Sequence, residues 1–405
     1  MNARLLARLP IFAAAGLIGF LFLANLWNFA VERDWPKLRV RSAEPLNGLS
    51  PRQPAPWTLA AFLSGETQHA VSKSIGVESP AFPISVRAKN QLLYSLFGIS
   101  GAANVVVGRD LELFGAGHID EFCARGAPQD ETRMRVWVDE IAQIAVAARA
   151  RGKSFVYLIA PSKVAYMRQK LPRERFCRAL ALSADTDKRA PFRAALTQQN
   201  VPLLDTAELF HRERGNYPID LFPRGGIHWN LLGAALTLRE TTQIFAAQSA
   251  GSPIGDFQFD WRERDVAQGD DRDLVDLLNL LWPDDRYPTA TISRRGSGED
   301  CAKTPRLLLV GDSFLRQLVL VASQAPCPPN IDYWSYMRND AGGEILGRFH
   351  IKAGEIGEGE RVVAVPAQLA ESFAQADAVL LEENEYNIGQ TTQVGALAQA
   401  ARALE

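Results

Sequence analysis

The chain has 405 residues, of which 47% are hydrophobic and 22% charged, and its 44 basic and 46 acidic residues leave a net charge of −2. That length suits one large domain or two ordinary ones. The even balance of charge excludes a nucleic-acid binder that relies on a basic excess, and no repeat period points to a solenoid or propeller.

Arg4 and Arg8 precede a run from Leu9 to Val31 that carries no charge. At about 1.5 Å of rise per residue, such a run matches a hydrocarbon core of about 30 Å. A cleavage site would want small residues, but Phe22 and Asn28 stand at the −3 positions before Ala24 and Ala30. The segment 1–31 is therefore expected to be an uncleaved transmembrane anchor rather than a removed signal peptide, with Trp27 near the interface. Arg33, Lys37, Arg39 and Arg41 follow the run, so basic residues flank it on both sides and do not fix its orientation.

Residues 32–81 are rich in proline and polar groups and read as a linker with short elements such as Trp57 to Leu63; a domain from 82 to 405 follows. Within it, Asn104 to Val107 reads as a strand and Gly108-Arg109-Asp110 as a turn. Glu131 to Arg151 has the apolar spacing of a helix, closed by Gly152. Strands are expected at Phe155 to Ala160, Val201 to Leu204, Arg306 to Val310 and Ala378 to Leu381. Helices are expected at Thr206 to Arg214 and Leu231 to Ala247. Short all-apolar strands alternating with helices indicate an α/β fold, a doubly wound parallel sheet with helices on both faces. Ligands of such sheets bind beyond the carboxyl ends of the strands.

Two stretches carry chemistry. Gly311-Asp312-Ser313-Phe314 follows the strand Arg306 to Val310 and opens a helix, a geometry that lifts a hydroxyl to the rim beside a helix N-terminus. The plainer reading is a helix cap, which both Asp312 and Ser313 favour. Gly225-Gly226-Ile227-His228-Trp229-Asn230 places one of only five histidines on a glycine-rich loop before a helix. A serine needs such a base to attack near neutral pH; a hydrogen-bonded loop histidine is the alternative. Cys123, Cys177, Cys301 and Cys327 show no C-x-x-C spacing, so no zinc or thioredoxin site is indicated. An even count fits two disulfides in an exported domain, Cys123 with Cys177 and Cys301 with Cys327; four buried thiols are the alternative.

Together the serine and histidine stretches resemble the SGNH hydrolase-like domain of the alginate O-acetyltransferases, the AlgJ/AlgX group of exopolysaccharide acetylation proteins. Asn104 to Asp110 with Leu113-Phe114, Ala160-Pro161-Ser162-Lys163 and Val201 to Asp205 are similar to further segments of that family, in the same order, from about Phe82 to about Tyr386. The family's aspartate, two residues before the histidine, falls here on Gly226. Asp220 is the first candidate to replace it, with Asp205 and Glu383 or a backbone carbonyl behind. Arg338 and Asn339 are candidates for oxyanion or substrate contacts, and Tyr386 and Asn387 stand open. Among the aromatics, Trp282, Tyr287, Tyr333, Trp334 and Tyr336 are divided between a sugar groove and the core.

The resemblance implies an O-acetyltransferase acting on an exopolysaccharide through an acyl-serine, Ser313 being the nucleophile and His228 the base. It implies a membrane-bound O-acyltransferase partner as acetyl supplier, an inner-membrane anchor and a periplasmic catalytic domain. No metal or nucleotide cofactor is expected. With the chain ending at Glu405, the anchored AlgJ-like arrangement without a carbohydrate-binding module is the closer match. A polysaccharide O-acetylesterase, or a non-catalytic scaffold in a biosynthetic complex, are the alternatives.

Overall fold

The computed structural model describes residues 3–31, 46–48, 56–78, 82–124, 131–172, 188–248, 257–294, 304–325, 327–338, 344–362 and 365–404. It forms two units, Met1–Val106 with Val275–Asp284, and Val107–Leu274 with Asp285–Glu405.

The first unit holds helices α1 (Ala3–Val31), α2 (Leu59–Leu63), α3 (Glu66–Glu78) and α4 (Phe82–Phe97). Thr58 caps α2, its hydroxyl accepting from Ala61 N at 3.1 Å. Buried Asn90 and Tyr94 of α4 bond Leu278 O (2.7 Å) and Asp284 (2.8 Å), so the excursion Val275–Asp284 runs along this helix. The large apolar side chains of α1, such as Ile11, Phe12, Ile18 and Phe22, are exposed. Side chains of α1 are described without interruption over residues 10–24, about 22 Å of helix. Among the described residues no helix is long and apolar enough to cross a membrane, so the fold does not establish the expected transmembrane anchor.

Strand β1 (Val105–Val107) precedes the second unit, which opens with β2 (Leu113–Gly115), α5 (Ala116–Ala124) and α6 (Glu131–Ala150). Gly152, at φ +65°, takes the left-handed turn that ends α6. Then come β3 (Ser154–Ala160), α7 (Lys163–Tyr166), α8 (Arg189–Gln198), β4 (Leu203–Asp205), α9 (Thr206–Glu213) and α10 (Leu231–Gln248). An antiparallel hairpin, β5 (Phe259–Val266) with β6 (Arg286–Arg294), brackets the start of α11 (Asp273–Leu277). The remainder is β7 (Arg306–Gly311), α12 (Phe314–Ala322), β8 (Asn330–Arg338), β9 (Glu344–Lys352), β10 (Glu355–Ile356), β11 (Glu360–Arg361), α13 (Val365–Gln375), β12 (Ala378–Asn384) and α14 (Gln393–Arg402).

The main sheet has the order β10-β9-β8-β7-β12-β3-β4, with β11 also on β9. Strands β8, β7, β12, β3 and β4 are parallel, whereas β9 turns back antiparallel on β8 and carries β10 and β11. The sheet is therefore mixed, not wholly parallel as expected: β9, with Arg348, His350 and Lys352 along it, lacks the continuous apolar run that marks a doubly covered strand. Every residue of β3 and β12 is buried. On one face α6, α8, α13 and α14 pack against Tyr157, Val310, Trp334 and Leu381; α10 packs against β3 and α12. Tyr287, Tyr333, Trp334 and Tyr336 are buried, and only Trp282 of the aromatics weighed for a sugar groove is exposed.

Cys123 and Cys327 are both disulfide-bonded. Their expected partners, Cys177 and Cys301, lie outside the described residues, and so do the two pairings.

Candidate active site

β7 is buried from Leu307 onward and delivers Gly311, Asp312 and Ser313 to the carboxyl rim of the sheet. The turn is tight: a Cβ on Gly311 would stand 2.5 Å from a Glu382 carboxylate oxygen. Asp312 caps α12, accepting from Phe314 N at 2.9 Å, and its own N–H donates to Glu382 at 2.8 Å. The Tyr333 hydroxyl donates to Asp312 O at 2.6 Å. Burial, and then the Asp312 charge, push the Glu382 carboxyl well above the usual range. Ser313 is left half-buried, and its backbone N–H donates to no group among the described residues. A free donor at a helix N-terminus is what an oxyanion requires.

His228 reaches the same point from the loop before α10. Its Nε2 lies 2.8 Å from Ser313 Oγ, across 85 positions of chain. The imidazole packs edge-on against Phe314 (4.9 Å, 62°), as does buried Trp229 (5.2 Å, 87°). Its Nδ1 stands 2.7 Å from Asp273 Oδ2, and the other oxygen of that carboxylate accepts from Ile227 N at 2.9 Å. Nδ1 thus carries the proton towards Asp273 and Nε2 is free to accept the serine proton. Burial alone would lower the His228 pKa, but the hydrogen bond and charge of Asp273, with Asp270 and Asp312 behind, carry it above the ordinary histidine value.

The carboxylate at the imidazole is therefore Asp273, not Asp220. Asp220 is exposed, and its backbone carbonyl accepts from the Asn230 side chain at 2.7 Å. Asp205 is occupied in capping α9 and pairing with Arg189 and Arg193. Glu383 accepts from Tyr157 (2.7 Å) and Trp137 (2.8 Å) in the core, where burial pushes its carboxyl up to about 8. Arg338 ends β8, with its side chain outside the described residues, and so is Asn339. Tyr386 stacks on His118 (4.3 Å, 4°), and the Asn387 side chain acts to lower the Asp312 carboxyl.

Gly226 explains why the acid comes from elsewhere. A Cβ there would meet Asp270 O at 2.5 Å and Asp271 O at 3.0 Å. The loop that brings Asp273 thus fills the space an aspartate at 226 would need. Leu274 N donates to Gly225 O at 3.0 Å, and Arg316 of α12 pairs with Asp270, which ties this loop to the helix that follows Ser313. The one sequence signal for Asp273 was its place at a helix start in the acidic stretch 270–273, which reads equally as a cap.

Comparison with known proteins gives a family. A model described as the SGNH hydrolase-like domain of acetyltransferase AlgX matches residues 105–321. No curated protein matches the chain. Among solved structures, it is similar to the O-acetyltransferase domain of Pseudomonas putida AlgJ (19% identity, TM-score 0.47, covering 74% of this chain and 99% of that one). It is also similar to Pseudomonas aeruginosa AlgX (14%, 0.46, 73% and 66%) and to Bacillus cereus PatB1 (12%, 0.44, 70% and 96%). Likenesses this distant assign no residue roles. The family match spans more than half of the chain, and the protein belongs to the family of the SGNH hydrolase-like domain of acetyltransferase AlgX.

Proposed function

We propose that this protein is a serine-dependent O-acetyltransferase that modifies a polysaccharide by double displacement. The observation that carries the reading is the unbroken hydrogen-bond chain Asp273–His228–Ser313 at the rim of the sheet. In the first half-reaction the Ser313 Oγ proton passes to His228 Nε2 while Oγ attacks the acetyl carbonyl; the leaving group then takes that proton. The Ser313 N–H faces the developing oxyanion. In the second half-reaction a sugar hydroxyl gives its proton to His228 Nε2 and attacks the acetyl-serine, and Ser313 Oγ recovers a proton as the ester leaves. Water in place of the sugar makes the same site an esterase. No metal or nucleotide enters these steps.

Membership of an acetyltransferase family supports a polysaccharide acceptor, and a membrane-bound O-acyltransferase is taken as the acetyl supplier by resemblance alone. Two disulfide-bonded cysteines support an oxidising compartment, here the periplasm. The charge-free run Leu9 to Val31, with its exposed apolar side chains, supports anchorage to the inner membrane. Membrane fractions washed at alkaline pH should retain the full chain, and its release there would remove the anchor from the proposal.

The catalytic reading is tested by the mass of intact protein after exposure to an acetyl-ester donor, with and without acceptor oligosaccharide. One acetyl group on Ser313, discharged faster when oligosaccharide is added, is the expected result. An enzyme that never gains mass and never acetylates the acceptor would leave the scaffold reading in its place.

A further inference from the structure

Lys163 is among the most deeply buried charged residues of the second unit, with 1% of its side chain exposed. It opens α7 just beyond β3, and its Nζ lies against the backbone of the histidine loop. Pro223 O (2.7 Å), Arg224 O (3.0 Å) and Gly226 O (2.8 Å) all accept from it. An ammonium has three protons, and these three carbonyls share them with Glu112. Glu112 Oε1, 2.7 Å away and 7% exposed, supplies the counter-charge. Phe114 closes one side with its ring centroid at 5.4 Å, and Leu113 N donates to Arg224 O at 2.9 Å beside it.

The loop is thus gripped on two sides. Lys163 holds its carbonyls up to Gly226; Asp273 holds the N–H of Ile227 and the ring of His228. Three backbone carbonyls converging in a buried pocket need a cation or several donors, because an unpaired buried carbonyl gives up its hydration with nothing in return. A loop with two adjacent glycines has little side-chain packing of its own to hold it. We propose that Lys163 is the positioning residue of the proton relay: by gathering the carbonyls of Pro223, Arg224 and Gly226 it sets the path of the loop that aims the His228 imidazole between Asp273 and Ser313. Glu112 neutralises the lysine and does not itself aim the ring.

The proposal rests on the catalytic reading above, so its test reads the imidazole directly as well as turnover. In Lys163→Met, kcat on a small acetyl ester should fall about 10- to 100-fold with KM changed less than about threefold, the scale expected when a reacting group moves by about an ångström. The downfield NMR resonance of the His228 Nδ1 proton, held by Asp273, should broaden or vanish. Glu112→Gln should lower the melting temperature yet keep that resonance and a kcat within about twofold of wild type. Lys163→Gln, which retains two donors, should fall between wild type and Lys163→Met. A folded Lys163→Met that keeps the resonance and the rate overturns the proposal. So does a Glu112→Gln variant with the same kinetic loss, or a failure of both Lys163 variants to fold, since the lysine would then serve the fold alone. If no variant and no wild-type protein turns over ester, the resonance still decides whether Lys163 aims the ring, and only the catalytic reading falls.

Discussion

The serine turn and the histidine loop meet at one hydrogen bond but are supported by opposite kinds of partner, acceptors in one and a donor in the other. Beneath Ser313 the chain presents N–H groups at the start of a helix, and carboxyl groups receive them: Glu382 takes Asp312 N, and the Asp312 side chain takes Phe314 N. Before His228 the chain presents carbonyls, and a lysine receives them. The backbone group that points inward thus decides whether an acceptor or a donor is placed against it. Each support is also stapled to the other side: Arg316 on the helix of Ser313 pairs with Asp270, three positions before the aspartate that holds His228.

The sharpest break in this comparison is Ser313→Ala. It removes the proposed acceptor of acetyl while leaving the Glu382–Asp312 support in place, and should lower kcat by about 10⁶ with an unchanged melting curve; ester hydrolysis followed by released acetate checks it. Wild-type turnover in this variant would end the serine mechanism. Asp273→Asn comes next. It should cost about 10⁴ in kcat, whereas Asp220→Asn should stay within about twofold, since that side chain is exposed and away from the imidazole. The pH profile sharpens the same contrast. Asp273 holds the His228 pKa above the ordinary value, so wild-type kcat/KM should rise with pH through a midpoint above about 6.5, and in Asp273→Asn that acid limb should move to lower pH. A midpoint that stays put would remove Asp273 from the relay.

Gly226→Asp asks whether the two acids can coexist. The added Cβ would stand 2.5 Å from Asp270 O, so stability should drop by about 1–3 kcal/mol in denaturant titration, and the change should not rescue Asp273→Asn. The last contrast, at Glu383, is read in stability against pH alone. Its folded pKa of about 8 lies above the ordinary 4.5, so the native state binds the extra proton, and stability should be lost as pH rises from 4.5 through 8. Glu383→Gln should flatten that part of the curve; a melting temperature with the same pH dependence as wild type would show the carboxyl to be charged in the core.

What the sequence disclosed follows the range of the interactions involved. Ser313 was legible because strand, glycine turn and helix are contiguous over residues 306–322. His228 stood out through its glycines and the scarcity of histidine. Asp273 did not, because its pairing spans 45 positions and its neighbours Asp270 and Asp271 offer the same side chain. Lys163 lay within a recognised motif, yet its partners are backbone carbonyls, which no residue type announces. The parallel core was read from its apolar runs, whereas β9 to β11 lack such runs, and only the paired register reveals their direction.

The crowding at Gly226 has an evolutionary consequence. With the backbone of residues 270 and 271 where it is, an aspartate two positions before His228 has nowhere to go. As the loop runs here, the two ways of supplying the acid crowd one another, and a chain carrying both would have to shift the backbone at 270 and 271. Exchange demands that the loop before Asp273 and the residue at 226 change together. A glycine at that position is accordingly a marker: relatives that share it should also carry a carboxylate at the place of Asp273, and relatives with aspartate there should carry a loop that runs elsewhere.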